Sequence, residues 1–124
     1  MAKKKILVID DERAITQLLK FALEKTGVYE IACENQAANA LSAVRSARPD
    51  LLILDMNMPD TSGGEISALI QSDPSFRNLP IIFLTGNVSD EEVEAGLTVS
   101  GHPAMAKPIN MEKLLSCIQK SLGL

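Results

Sequence analysis

Four short segments of the sequence carry side chains able to do ionic chemistry together: Asp10-Asp11-Glu12, Asp55, Thr85-Gly86 and Lys107-Pro108. Two carboxylates about 4 Å apart repel by about 4 kcal/mol at an effective dielectric of about 20. Three such groups without compensation raise their own pKa values or push their loops apart. A hard divalent cation relieves that repulsion, and an all-oxygen donor set favours magnesium over zinc. Asp10, Asp11 and Asp55 bring three negative charges, which Mg2+ and Lys107 would balance. The neutral site that results suits an arriving phosphoryl group, whose transfer asks mainly for positioning and charge neutralisation. Asp55 is the expected nucleophile, since carboxylates form acyl phosphates in aspartyl-phosphate systems.

Each segment has an ordinary structural role when taken singly. An Asp after a buried strand caps helices or forms turns, and Asp10-Asp11-Glu12 would complement a helix dipole. Thr85-Gly86 is a common turn, and Lys107 a common surface lysine. Their coincidence at the ends of four different strands is what carries the functional reading.

The elements that must position them alternate between two periods. Lys5-Ile6-Leu7-Val8-Ile9, Leu51-Leu52-Ile53-Leu54 and Ile81-Ile82-Phe83-Leu84 are continuous apolar runs suited to strands buried on both faces of a parallel sheet. Tyr29-Glu30-Ile31-Ala32-Cys33 alternates as an edge strand does, and Ala104-Met105-Ala106 is a weaker fifth. Between them lie helical stripes. The first is Ile15, Leu18, Leu19, Ala22 and Leu23, closed by Gly27. A second, Ala37, Ala40, Leu41 and Val44, ends before Pro49. The third, Ile66, Leu69 and Ile70, ends before Pro74. A fourth helix starts at a capping box of Ser89 and Glu92, with Val88 and Val93 in the staple positions. The fifth begins at Asn110 and carries Leu114, Leu115, Ile118 and Leu122. Strand followed by helix, five times over, predicts an open α/β layer with helices on both faces of the sheet. Ligands of such sheets bind beyond the carboxyl ends of the strands, where the four segments fall.

Composition narrows the classes further. The 124 residues are 46% hydrophobic and 23% charged, which suits one globular domain over 1–124 with no output domain. A net charge of −4 argues against bulk attraction to nucleic acid or an anionic membrane. No apolar run approaches the roughly 20 residues of a membrane span, and none follows Lys3-Lys4-Lys5 at the length a signal peptide needs. Cys33 and Cys117 stand far apart, so zinc and a disulfide scaffold are both disfavoured. The expected location is cytoplasmic.

The same residues resemble the receiver domain of two-component response regulators over essentially the whole chain. Ile6-Leu7-Val8-Ile9-Asp10-Asp11-Glu12 is similar to the family's first strand and acidic pair. Asp55-Met56-Asn57-Met58-Pro59, with Gly63 eight positions after Asp55, resembles its phosphoacceptor loop, and Thr85-Gly86 and Lys107-Pro108 match its hydroxyl and lysine-proline positions. The resemblance implies a flavodoxin-like (βα)5 doubly wound fold, with a five-stranded parallel sheet of order 2-1-3-4-5. It implies that Asp55 accepts a phosphoryl group from a phosphohistidine on a sensor histidine kinase or histidine phosphotransfer protein. Asp11 would ligate Mg2+ directly, Asp10 largely through water, and Asp55 and the backbone carbonyl of Asn57 would complete the protein's share. Lys107 would pair with phosphoryl oxygens, its bond to Pro108 being cis, and Thr85 would carry the signal outward to an output protein. Slow autodephosphorylation is implied too, with Asn57 and Asn87 flanking the route of the attacking water. The protein would be a monomer or weak dimer.

One position departs from the family pattern. Ala104 stands three residues before Lys107, where an aromatic side chain is usual, so signalling is expected to rely on Thr85 and a shift of segment 86–103. His102 reads as an exposed loop residue. Two other classes fit less well. A phosphatase of the haloacid dehalogenase type wants a second Asp where Asn57 stands. A flavin-binding module would not place Asp10-Asp11-Glu12 where a phosphate must sit. A degenerate receiver used only as a scaffold is disfavoured by the intact acids, hydroxyl and lysine.

Overall fold

The computed structural model describes residues 2–86, 88–94 and 96–124, with Asp90 and Glu94 described in backbone only. Five strands, β1 (Lys4–Ile9), β2 (Tyr29–Glu34), β3 (Leu51–Asp55), β4 (Ile81–Thr85) and β5 (His102–Ala106), run parallel in the order β2-β1-β3-β4-β5. A sixth strand of two residues, Thr98–Val99, extends this sheet by pairing antiparallel with His102 and Pro103. The expected sheet is therefore present, and the five-strand count is corrected by that short antiparallel edge, a common addition to parallel sheets.

Helices α1 (Arg13–Glu24), α2 (Ala40–Ala47), α3 (Gly63–Gln71), α4 (Asp90–Glu94) and α5 (Met111–Leu122) connect the strands or close the chain. Every residue of β3 and β4 is buried, because helices cover both faces of the sheet. On one face Leu7, Ile9, Leu52, Leu54 and Phe83 pack against Val44 of α2 and Ile66 and Ile70 of α3. On the other, Ile6, Val8, Ile53 and Leu84 meet Leu19 and Leu23 of α1 and Leu114 and Ile118 of α5. Each fully buried aliphatic side chain contributes roughly 1.5–3 kcal/mol. β2 lies at an edge and alternates, with Tyr29 and Ile31 buried and Glu30 exposed.

The helix starts follow sequence chemistry. Ser89 and Glu92 form the expected reciprocal box, with Ser89 N–H donating to Glu92 Oε1 at 3.1 Å and Glu92 N–H to Ser89 Oγ at 3.1 Å. Asn110 caps α5 by accepting from Lys113 N–H at 3.1 Å. Two stripe residues are misplaced by the sequence pattern: Leu18 and Leu69 are each 52% exposed. Both sit roughly 100° around their helix from the centre of the buried stripe, on its flank instead of against the sheet.

Candidate functional site

Strand register brings the polar residues to one rim. Ile9 pairs with Leu54, so the residues that follow, Asp10 and Asp55, lie side by side where β1 and β3 end. Thr85 pairs with Ala106 at the neighbouring rim, which puts Lys107 one step beyond Thr85. Asp10, Asp55 and Thr85 are buried, whereas Asp11 is exposed at the mouth. One carboxylate oxygen from each of Asp10, Asp11 and Asp55 lies within 4.8 Å of the others.

Lys107 is the cation of this cluster. Its Nζ donates to Asp10 Oδ2 at 2.9 Å and lies 3.4 Å from Asp55 Oδ1 and 3.6 Å from Glu12 Oε1. The Lys107-Pro108 bond is cis, as the resemblance implied. The backbone of Lys107 is tied to the sheet by its N–H, which donates to Thr85 O at 2.9 Å. Burial works to lower the Lys107 pKa, yet its bond and charge attraction to Asp10, then Asp55, hold it above the ordinary lysine value.

The two buried acids are oriented by backbone N–H groups. Asp10 Oδ1 accepts from Glu12 N–H at 2.9 Å, and Asp55 Oδ1 from Asn57 N–H at 3.1 Å. Burial pushes the Asp55 carboxyl up to about 6, against the Asn57 bond that lowers it; Asp10 raises it further, while Lys107 draws it back. The site is thus rich in negative charge for its single lysine. The donor set is all oxygen, convergent and short of cations, which fits a hard divalent ion such as Mg2+.

The loop after Asp55 is built around it. Asn57–Met58 and Thr61–Ser62 form a two-residue antiparallel hairpin with Pro59 and Asp60 at its tip, and Asp60 adopts φ 72°. Pro followed by a positive-φ residue is the type II turn pattern. Ser62 then caps α3 by accepting from Glu65 N–H at 3.2 Å. Gly63 begins that helix against the backbone of Asp55 and Met56: a Cβ there would lie 2.7 Å from Asp55 O and 2.9 Å from Met56 Cα. That close approach explains a glycine at this spacing.

One contributor, Asn35, does not stand out in the sequence pattern, and one residue, His102, reads differently there. Asn35, which follows β2, donates from Nδ2 to Asp10 O at 2.9 Å and to Thr16 Oγ1 at 3.0 Å, bracing the β1 end. The strand-end rule applied to β2 would have found it. Glu12 extends the acidic set toward Lys107. His102 is corrected from a loop to a half-buried strand residue, its Nε2 3.1 Å from Gln71 Oε1 and its ring edge-on to Phe83 at 6.0 Å. Ala104 is buried beside Phe83 with no aromatic ring of its own. Asn87 lies outside the described residues. Cys33 and Cys117 are free thiols, and burial raises both pKa values. Among the described residues, no helix is long and apolar enough to cross a membrane.

Comparison with known proteins agrees with this geometry. The family described as "Response regulator receiver domain" matches residues 6–119. The transcriptional regulatory protein YvrH of Bacillus subtilis is 34% identical over 122 residues, covering 98% of this chain and 50% of YvrH. The phosphate regulon transcriptional regulatory protein PhoB of Pseudomonas aeruginosa is 33% identical over 123 residues, covering 98% of this chain and 53% of PhoB. The chain thus spans about half the length of the curated relatives it matches. The crystal structure of chemotaxis protein CheY4 of Vibrio cholerae superposes with a TM-score of 0.84 at 32% identity, covering 98% of this chain and 100% of CheY4. The match begins in β1 and ends within α5, touching every strand of the parallel sheet and all the clustered side chains, so the chain belongs to the receiver domain family of two-component response regulators, phosphoacceptor switches for signalling rather than conventional enzymes.

Proposed function

We propose that residues 1–124 act as one receiver unit that is switched by phosphorylation of Asp55. The observation that carries this reading is the convergence of Asp10, Asp11 and Asp55 on one point, with Lys107 Nζ 3.4 Å from Asp55 Oδ1. The donor is a phosphohistidine of a sensor histidine kinase or a histidine phosphotransfer protein. A carboxylate oxygen of Asp55 attacks phosphorus and the P–N bond breaks. Its electron pair stays on the imidazole, which takes up a proton. The product is an acyl phosphate on Asp55.

This chain's residues position that exchange. Asn57 N–H holds the Asp55 carboxylate in place, leaving its other oxygen for phosphorus. Lys107 is close enough to turn from Asp10 toward phosphoryl oxygens and neutralise them. Asp11, Asp10, Asp55 and the backbone carbonyl of Asn57 would hold Mg2+, which supplies further neutralisation of the phosphoryl charge. Slow autodephosphorylation follows from water reaching the site past the exposed Asn57 amide, with Asn87 as its proposed partner.

The output runs through Thr85, the 86–106 region and the face made by α4, β5 and α5. Thr85 pairs directly with Ala106 across β4 and β5, with Leu84–Met105 and Phe83–Ala104 paired before it, so a move of Thr85 is felt by β5. A groove of about 480 Å3 lined by Val93, Leu97, Pro103, Ala104, Met105 and Cys117 lies on that face and offers a place for an output protein. The experiment is radiolabelled phosphoryl transfer from a histidine phosphotransfer protein to wild type and Asp55→Asn. Label on the wild type alone, released by hydroxylamine, is expected; equal labelling of both proteins would contradict the assignment.

A further inference from the structure

A groove of about 710 Å3 opens beside the acidic cluster, between the residues that follow β2 and one side of α3. Its floor and walls include Ala37, Met58, Ile66 and Leu69, and Leu69 stands at the lip 52% exposed. Its other lining groups include three carboxylates, Asp11, Asp60 and Glu65, and no lysine, arginine or histidine. Asp60 is held at the hairpin tip with φ 72°, and Glu65 Oε2 is fixed by Thr61 Oγ1, which donates at 3.0 Å. An apolar trough rimmed by acids on one side repels anions and leaves neutral apolar ligands with nothing to offer its rim.

We propose that this groove receives one face of a basic amphipathic helix from a partner protein. Apolar side chains at helical spacing would sit on Met58, Ile66 and Leu69, while flanking lysines or arginines meet Asp11, Asp60 and Glu65. This is helix-in-groove recognition, with charge complementarity selecting the partner and speeding its approach. The groove shares Asp11 with the proposed metal site, so its test uses unphosphorylated protein without Mg2+, and its variants leave Asp11 intact. A second copy is the competing occupant, because α1 exposes Leu18 and Phe21, with Lys25 Nζ 5.8 Å over the Phe21 ring.

The test is an NMR titration of the full chain with a synthetic helical peptide bearing leucines on one face and lysines on the other. A control peptide carries glutamates in place of the lysines. Expected are amide shifts at Ala37, Ala38, Thr61 and Leu69, weakened binding at high salt, and no binding of the glutamate peptide. Leu69→Gln and the double variant Asp60→Asn/Glu65→Gln should each weaken binding by about tenfold or more, as loss of an apolar anchor or of rim charges does. Asn tolerates the positive φ at 60, and an unchanged denaturation midpoint separates lost binding from lost folding. Failure of the lysine peptide to bind, equal binding of both peptides, or shifts centred on α1 or α5 would overturn the proposal. So would concentration-dependent dimerisation without peptide that Phe21→Ser abolishes, since α1 of a second copy would then be the occupant.

Discussion

Lys107 bonds Asp10 at 2.9 Å, and not the neighbouring Asp55, as its nearest acid. Asp10 is fully buried, and the Lys107 side chain is only 18% exposed. The pair is therefore a partly buried ion bridge whose lysine also lies 3.4 Å from a second acid, Asp55. Removing one member of such a pair leaves a desolvated charge uncompensated. Lys107→Met should lose about 2–4 kcal/mol of unfolding free energy in chelator at neutral pH, with part recovered on adding Mg2+. A loss below about 0.5 kcal/mol in denaturant titrations, the range of surface changes, would contradict this.

The Asp55 carboxyl, raised to about 6 chiefly by burial, gives stability a definite sign with pH. A folded pKa above the ordinary 3.8 means that the folded state holds the proton more tightly than the unfolded chain does. The resulting penalty is absent near pH 3, grows as pH rises through 4 to 6, and is complete above it. In chelator, Asp55→Asn should stabilise the fold by roughly 1–3 kcal/mol at pH 7.5, and the gain should fade by pH 4. Urea titrations at the two pH values measure this. A variant less stable than wild type at pH 7.5 would show that Asp55 carries no such strain.

Excess negative charge also predicts a metal response. Saturating Mg2+ should raise the melting temperature of wild type, by an amount equivalent to about 2.7 kcal/mol at a hundredfold excess over Kd. Asp11 is exposed at the mouth, so Asp11→Asn should cost little in chelator but lose most of the Mg2+ response. Equal Mg2+ shifts for both proteins would remove Asp11 from the metal set.

Two adjacent glycines should answer oppositely to alanine. At Gly63 the added methyl would meet Asp55 O at 2.7 Å, whereas at Gly64 the nearest atom is Ser62 Oγ at 3.8 Å. Gly63→Ala should cost about 1–3 kcal/mol and lower phosphorylation at Asp55, since the clash falls on the acceptor's own backbone. Gly64→Ala should gain about 0.5–1 kcal/mol from helix propensity. Similar denaturation midpoints for the two variants would refute the close-approach account.

Much of this arrangement is written in local sequence. The runs at residues 6–9, 51–54 and 81–84 can only be satisfied by a sheet covered on both faces, and such a sheet places Asp10, Asp55 and Thr85 at one rim. The Ser89–Glu92 box is legible because both its bonds are local. What escapes the sequence depends on contacts between distant segments. Asn35 braces Asp10 from 25 residues away, and His102 meets Gln71 across 31. Leu18 and Leu69 look like core by type and spacing, yet each stands on the flank of its helix's buried stripe and is half exposed, which depends on how the helix seats on the sheet. The two-residue edge strand at Thr98–Val99 carries no pattern long enough to register.

The central claim is that the acids of the sheet rim, aided by Lys107, make Asp55 a metal-dependent phosphoryl acceptor. Intact-mass spectrometry after incubation with acetyl phosphate, with and without Mg2+, tests it most directly. Wild type should gain one phosphoryl group only when Mg2+ is present, and Asp55→Asn none under either condition. A phosphoryl adduct that forms equally without Mg2+, or that persists in Asp55→Asn, would contradict it.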